Sequence, residues 1–117
     1  MKKLAMLVAG LGMGLAAYAG AVPEYPGGQE AMDQYISENL KYPKSAQDNG
    51  IEGTVDLNLT VKPDGSIGTI KIVRMIDPDL EAEAIRLVKG MPAWTPADKN
   101  GTPVEAPAQV QINFVLP

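Results

Sequence analysis

The chain has 117 residues, a formal net charge of −4, and neither Cys nor His. That length holds one small domain, and without Cys there is no disulfide, lipid-bearing cysteine or thiolate metal site. Without His the usual general base, pH switch and commonest zinc ligand are gone, and Ser-His and Cys-His triads with them; no basic cluster beyond Lys2 and Lys3 points to nucleic acid.

Residues 1–21 read as an export signal. Lys2 and Lys3 form a charged start, Leu4 to Leu15 is apolar, and Ala17-Tyr18-Ala19 or Ala19-Gly20-Ala21 offers small residues for cleavage. The competing reading is an uncleaved, weak inner-membrane anchor. Leu4 to Val22 is nearly long enough to span, but its four glycines and many alanines make it weakly hydrophobic. Cleavage gives a periplasmic protein without a lipid tether. Residues 22–28 form a short polar linker, where Pro26 and Gly27-Gly28 oppose helix.

A domain is expected over residues 29–117. Its first helix runs Gln29 to Leu40, with Met32, Tyr35, Ile36 and Leu40 on one stripe and Glu30 and Asp33 in the first turn. Pro43 ends it, and Lys44 to Asn49 adds one helical turn closed by Gly50. A strand follows from Thr54 to Lys62. Val55, Leu57, Leu59 and Val61 point inward, while Thr54, Asp56, Asn58 and Thr60 point to water. Pro63-Asp64-Gly65-Ser66 turns the chain into a second strand, Ile67 to Ile76. Asp77 caps the second helix, with Pro78 at its first position. Leu80, Ala84, Leu87, Val88 and Met91 form its buried stripe; Glu81, Glu83, Arg86 and Lys89 face water. Gly90 and Pro92 stop it. Asn100-Gly101 marks a tight turn. In the last strand Val110, Ile112, Phe114 and Leu116 alternate with Gln109, Gln111, Asn113 and Val115.

One fold buries all these stripes: an α+β domain with a three-stranded antiparallel sheet and two helices packed on one face. The last strand lies at an edge or beside the first, because a helix separates it from the second.

Each candidate for chemistry has a structural explanation. The run Asp77, Asp79, Glu81, Glu83 suits a helix N-terminus, which attracts acids. Pro63-Asp64-Gly65-Ser66 lacks the further ligands of a calcium loop. Tyr25-Pro26-Gly27-Gly28 follows no strand and precedes no Lys, so it is no phosphate cradle. Trp94, between Pro92 and Pro96, packs over the sheet rather than serving as a stacking platform, and Tyr42 covers the core with its hydroxyl on a backbone partner. No catalytic constellation, metal site or cofactor site remains, so the chain does not read as an enzyme.

The succession Tyr42-Pro43, Ala46, Gly50-Ile51-Glu52-Gly53, the hairpin over Pro63-Asp64-Gly65, the helix rich in Glu and Ala, Met91-Pro92-Ala93-Trp94-Thr95-Pro96 and the closing strand resembles the TonB C-terminal domain, in the form common in Bacteroidetes-type bacteria. The resemblance covers roughly Tyr25 to Leu116. It implies a periplasmic module that binds extended peptides by strand addition, its partner being a short motif at the N-terminus of outer-membrane TonB-dependent transporters. By position it carries peptide contact to Gln109, Gln111, Asn113 and Val115, and to Asn39 and Lys41 before Tyr42. The short run from the export segment to the domain lacks the long Pro-rich spacer of an energy transducer, so binding is expected rather than force transmission. The alternative is a secreted structural or interaction domain of the cell envelope, unrelated to transport, using the same edge to form a homodimer or to hold another envelope protein or peptidoglycan.

The export reading is checked by N-terminal sequencing. The expected mature N-terminus is Gly20 or Val22, in the periplasmic soluble fraction. Intact chain beginning at Met1 in washed inner membranes means anchorage instead.

Overall fold

The computed structural model describes residues 22–117, so the export signal read in residues 1–21 lies outside the described residues. The order of elements is α1 (Gly28–Asn39), α2 (Lys44–Asp48), β1 (Gly53–Val61), β2 (Ile67–Ile72), α3 (Pro78–Lys89), β3 (Ala97–Lys99), β4 (Thr102–Val104) and β5 (Ala106–Phe114). The main sheet is antiparallel with strand order β2-β1-β5, so β1 is central and the chain's last strand is an edge. This is the expected α+β fold, with a three-stranded sheet and helices against its apolar face.

Local chemistry explains each element. α1 begins one residue earlier than the sequence suggests, at Gly28, because Gly27 takes φ 88° as its cap. A side chain there meets Ala31 at 2.8 Å. Tyr25 is buried in the core, and Glu24 pairs with Thr95, so residues 24 and 25 lie on the domain. α3 starts where the Asp77 carboxylate accepts from the amides of Asp79 (3.0 Å) and Leu80 (3.1 Å), with Pro78 at the first helical position.

The β1–β2 turn is held by the Asp64 carboxylate, which accepts from the Ser66 amide at 2.9 Å and its hydroxyl at 2.7 Å. Gly65 has φ 88° and lies under the Trp94 carbonyl, where a Cβ comes within 2.2 Å of the oxygen. Only glycine satisfies both the dihedral and the contact. Trp94 is buried, with its ring edge-on to Tyr25 at 5.9 Å. Packing is therefore its role.

The core is formed by Val55, Leu57, Leu59 and Val61 of β1, Val110, Ile112 and Phe114 of β5, Leu80, Ala84, Leu87 and Val88 of α3, and Met32 of α1. Tyr35, Ile36 and Leu40 cover it partly. The Tyr35 hydroxyl donates to the Leu87 carbonyl at 2.7 Å, tying α1 to α3.

Two expectations are corrected. The second strand ends at Ile72, not Ile76. Val73 still bonds to β1, but the Ile76 amide donates to the Glu81 carboxylate at 2.7 Å, and Pro78 fixes the chain's entry into α3. Glu83, placed in water by the sequence reading, is 8% exposed. The expected Asn100-Gly101 turn is present, and it joins an additional two-stranded hairpin, β3–β4.

The core predicts a contrast within one strand. Leu57 is 1% exposed, so Leu57→Ala should cost about 2–5 kcal/mol. Thr60→Ala, on the opposite face, should cost less than about 1 kcal/mol. Denaturant titration checks this, and equal losses contradict the register.

Candidate functional site

A strand alternates in two ways at once. Side chains go to opposite faces, and main-chain N–H and C=O pairs point to opposite edges. One bond sets the phase here: the Val73 amide donates to the Asp56 carbonyl at 2.8 Å, so Asp56 directs its main-chain groups toward β2. Gly53, Val55, Leu57, Leu59 and Val61 then direct theirs toward β5, where they face Phe114, Ile112, Val110, Ala108 and Ala106. The intervening residues of β5, Pro107, Gln109, Gln111 and Asn113, turn their main-chain groups outward. Among the described residues no strand lies on that side. Pro107 agrees with this phase, since a proline fits a ladder where its missing N–H faces the open edge.

The outer side of β5 is thus a row of main-chain groups from Gln109, Gln111 and Asn113. Their side chains are exposed on the sheet face away from the helices. The Thr54 hydroxyl donates to Asn113 Oδ1 across the strands. Asp56 lies opposite Gln111, and Asn58 opposite Gln109. Val115 is 71% exposed but follows the last strand residue, and the next amide, Leu116, donates to the Glu52 carboxylate at 2.7 Å. The chain therefore leaves the edge there. β2, the sheet's other edge, has six residues and a register irregularity opposite Leu59 and Val61. β5 pairs with β1 without interruption over nine residues, so it is the straighter template.

Asn39 and Lys41 stand elsewhere. They precede Tyr42, whose ring meets Phe114 edge-on at 5.6 Å and whose hydroxyl donates to the Ile51 carbonyl. This places the segment beside the C-terminal end of β5. Two of its main-chain groups are already engaged. The Lys41 amide donates to Glu83 Oε2 at 2.7 Å, and the Asn39 carbonyl accepts from Arg86 Nη2 at 2.9 Å. Both side chains are exposed. Their main-chain contribution to any partner is reduced accordingly.

Glu83 and Arg86 are the residues the sequence reading missed. Arg86 holds the carboxylate through Nε at 2.7 Å and Nη2 at 2.8 Å. Burial pushes the Glu83 carboxyl upward, but the Arg86 guanidinium and the Lys41 amide outweigh it and hold the group below the usual carboxylate range. The signal was present in the spacing: Leu80, Glu83, Ala84 and Leu87 fall at i, i+3, i+4 and i+7, so Glu83 lies on the buried stripe. The other acids of that run also have structural partners. Asp77 caps α3, Asp79 accepts from the Ser45 hydroxyl, and Glu81 accepts from the Ile76 amide. Among the described residues no group of three or more candidate metal ligands converges.

The sequence profile of the Gram-negative bacterial TonB protein C-terminal matches residues 38–116. Protein TonB from two Helicobacter pylori strains, J99 and 26695, is 44% identical over 45 residues. That match spans 38% of this chain and 16% of those curated relatives. Among solved structures, the Helicobacter pylori TonB C-terminal domain superposes with a TM-score of 0.56 at 30% identity, over 74% of this chain and 78% of that one. The Pseudomonas aeruginosa TonB C-terminal domain gives a TM-score of 0.52 at 26% identity, over 65% and 77%.

Two measurements test this geometry. In amide hydrogen exchange of the free protein, Val110 and Ile112 should be protected while Gln109, Gln111 and Asn113 exchange quickly; the opposite alternation contradicts the assigned edge. Glu83 has a depressed folded pKa, so its stabilisation is present above the unfolded-state value, about 4.3, and is lost as pH falls through the folded one. Glu83→Gln should therefore be less stable than the parent at pH 7, with the difference shrinking between about pH 5 and pH 3, as read by thermal unfolding.

Proposed function

Because this chain belongs to the family of the Gram-negative bacterial TonB protein C-terminal, a transport-associated and non-enzymatic family, we propose that it is a periplasmic peptide-binding module of the cell envelope. Its ligand is the extended N-terminal motif of an outer-membrane TonB-dependent transporter, added as a further strand to β5. Among the described residues no helix is long and apolar enough to cross a membrane.

The observation that carries this reading is the outward main-chain row at Gln109, Gln111 and Asn113 on a nine-residue strand of regular register. An extended peptide satisfies those donors and acceptors as a neighbouring strand does. Affinity then comes from the backbone, and the exposed amide side chains contribute little. Asn39, Lys41 and Val115 flank the C-terminal end of that row and supply side-chain contact rather than ladder bonds.

Proline scanning separates edge from fold. At Gln111 a proline removes an outward donor, and at Asn113 it removes the outward donor together with the side-chain acceptor of an exposed hydrogen bond from the Thr54 hydroxyl, so the domain should stay folded by circular dichroism and lose binding of transporter N-terminal peptides in calorimetry. Alanine at the same positions should bind nearly as the parent does. A proline at Ile112, whose amide faces β1, should unfold the domain. Folded proline variants that bind like the parent mean another site; a parent that binds no such peptide at high micromolar concentration favours the envelope interaction domain unrelated to transport.

A further inference from the structure

The outward row on β5 has a stop at one end. Four consecutive outward positions, 107, 109, 111 and 113, are Pro, Gln, Gln and Asn. The last three offer an N–H and a C=O each. Pro107 offers a C=O only, and its ring carbons occupy the place where the N–H projects toward an incoming strand. β5 itself continues past this point, since Pro107 faces Thr60 and Ala106 faces Val61 in unbroken register. It goes on by one residue only, and Ala106 turns its main-chain groups toward β1, so Pro107 takes the last outward position of β5 and leaves it without a donor. At the other end the chain departs after Phe114, where the Leu116 amide is held by Glu52.

We propose that Pro107 is a specificity-determining residue that sets the length and register of strand addition, confining the paired part of a bound peptide to the stretch opposite Gln109–Asn113. This rests on the reading of β5 as the peptide-binding edge. Segments of about five residues gain every pairing that has both a donor and an acceptor; opposite Pro107 only its carbonyl remains as an acceptor, and extended residues beyond it add nothing. β5 carries no charged residue, so charge pairing along the strand does not fix the register. Proline does so by steric exclusion and a missing donor. The same residue shortens the edge open to other chains, a common protection of edge strands.

The test uses capped, dye-labelled peptides of alternating threonine and valine, five and nine residues long, each with one terminal lysine for solubility. Affinities are measured by fluorescence anisotropy for the parent, Pro107→Thr, Pro107→Ala, and Pro103→Thr as a control in the β3–β4 hairpin. Circular dichroism and sedimentation first establish that each variant is folded and monomeric. The gain in affinity from five to nine residues should be at least about fivefold larger in the two position-107 variants than in the parent and the control, as expected for one or two added backbone hydrogen bonds. The new amide at position 107 should become protected from exchange in the nine-residue complex. In the parent complex, peptide amides lying beyond Pro107 should exchange freely, a readout that needs no variant. If both peptides bind but the length dependence is the same in all four proteins, or the parent protects peptide amides beyond Pro107, the stop is overturned and strand addition stands. If neither peptide binds the parent, the edge reading itself fails and the stop with it.

Discussion

The continuous register between β1 and β5 is the constraint on which the rest of the molecule depends. Nine residue pairs, from Gly53 with Phe114 to Val61 with Ala106, run without a bulge. Because strand side chains and main-chain groups both alternate with period two, this register decides two things together. It buries Val110, Ile112 and Phe114 against α3 and the β1 core, and it turns the main-chain groups of Gln109, Gln111 and Asn113 outward. A slip of one residue exposes the apolar set and buries the amides. Core and edge are thus two consequences of one alignment, and the apolar packing that favours the alignment also maintains the edge.

A second set of contacts fixes what stands beside that edge. Glu83 emerges from the buried stripe of α3 to meet the Lys41 amide, while Arg86 reaches the Asn39 carbonyl. A buried carboxylate is costly unless its charge and lone pairs are satisfied. Here a guanidinium and a backbone amide do so, and both lie on or next to the chain leaving α1. Tyr42 then bridges to Phe114 and to the Ile51 carbonyl. The junction between the first helix and β1 is held to the end of β5 by directional bonds as well as by apolar packing. Such bonds give the segment one orientation, whereas apolar contact alone tolerates several.

Much of this was legible in the chain. Period-two alternation marked β1 and the inward residues of β5, and the Asp77-Pro78 pair marked the start of α3. Trp94 and Tyr42 pack as their surroundings suggested. The misreadings have physical causes. Val73 and Ile76 have the composition of a strand, but the bond from the Ile76 amide to Glu81 draws the chain off the sheet. Glu83 was read by its charge rather than its position, since no local rule announces the Lys41 amide arriving from 42 residues away. The β3–β4 hairpin, with Pro103 in one three-residue strand, has too few residues for a pattern to register.

The sequence by itself determined what each segment is: its period, its caps, its turns and the absence of Cys and His that removes most site chemistry. Those properties are local, carried by neighbours within a turn or a strand. Only the tertiary structure decided which strand is central and which is an edge. Strand order depends on pairings between residues up to about sixty positions apart, such as Gly53 with Phe114, and nothing in either segment alone specifies its partner. The meaning of Pro107 follows the same division. In the sequence it is a proline in an apolar stretch; beside β1 its missing donor faces the open edge, because the neighbour on the other side has already taken the ladder.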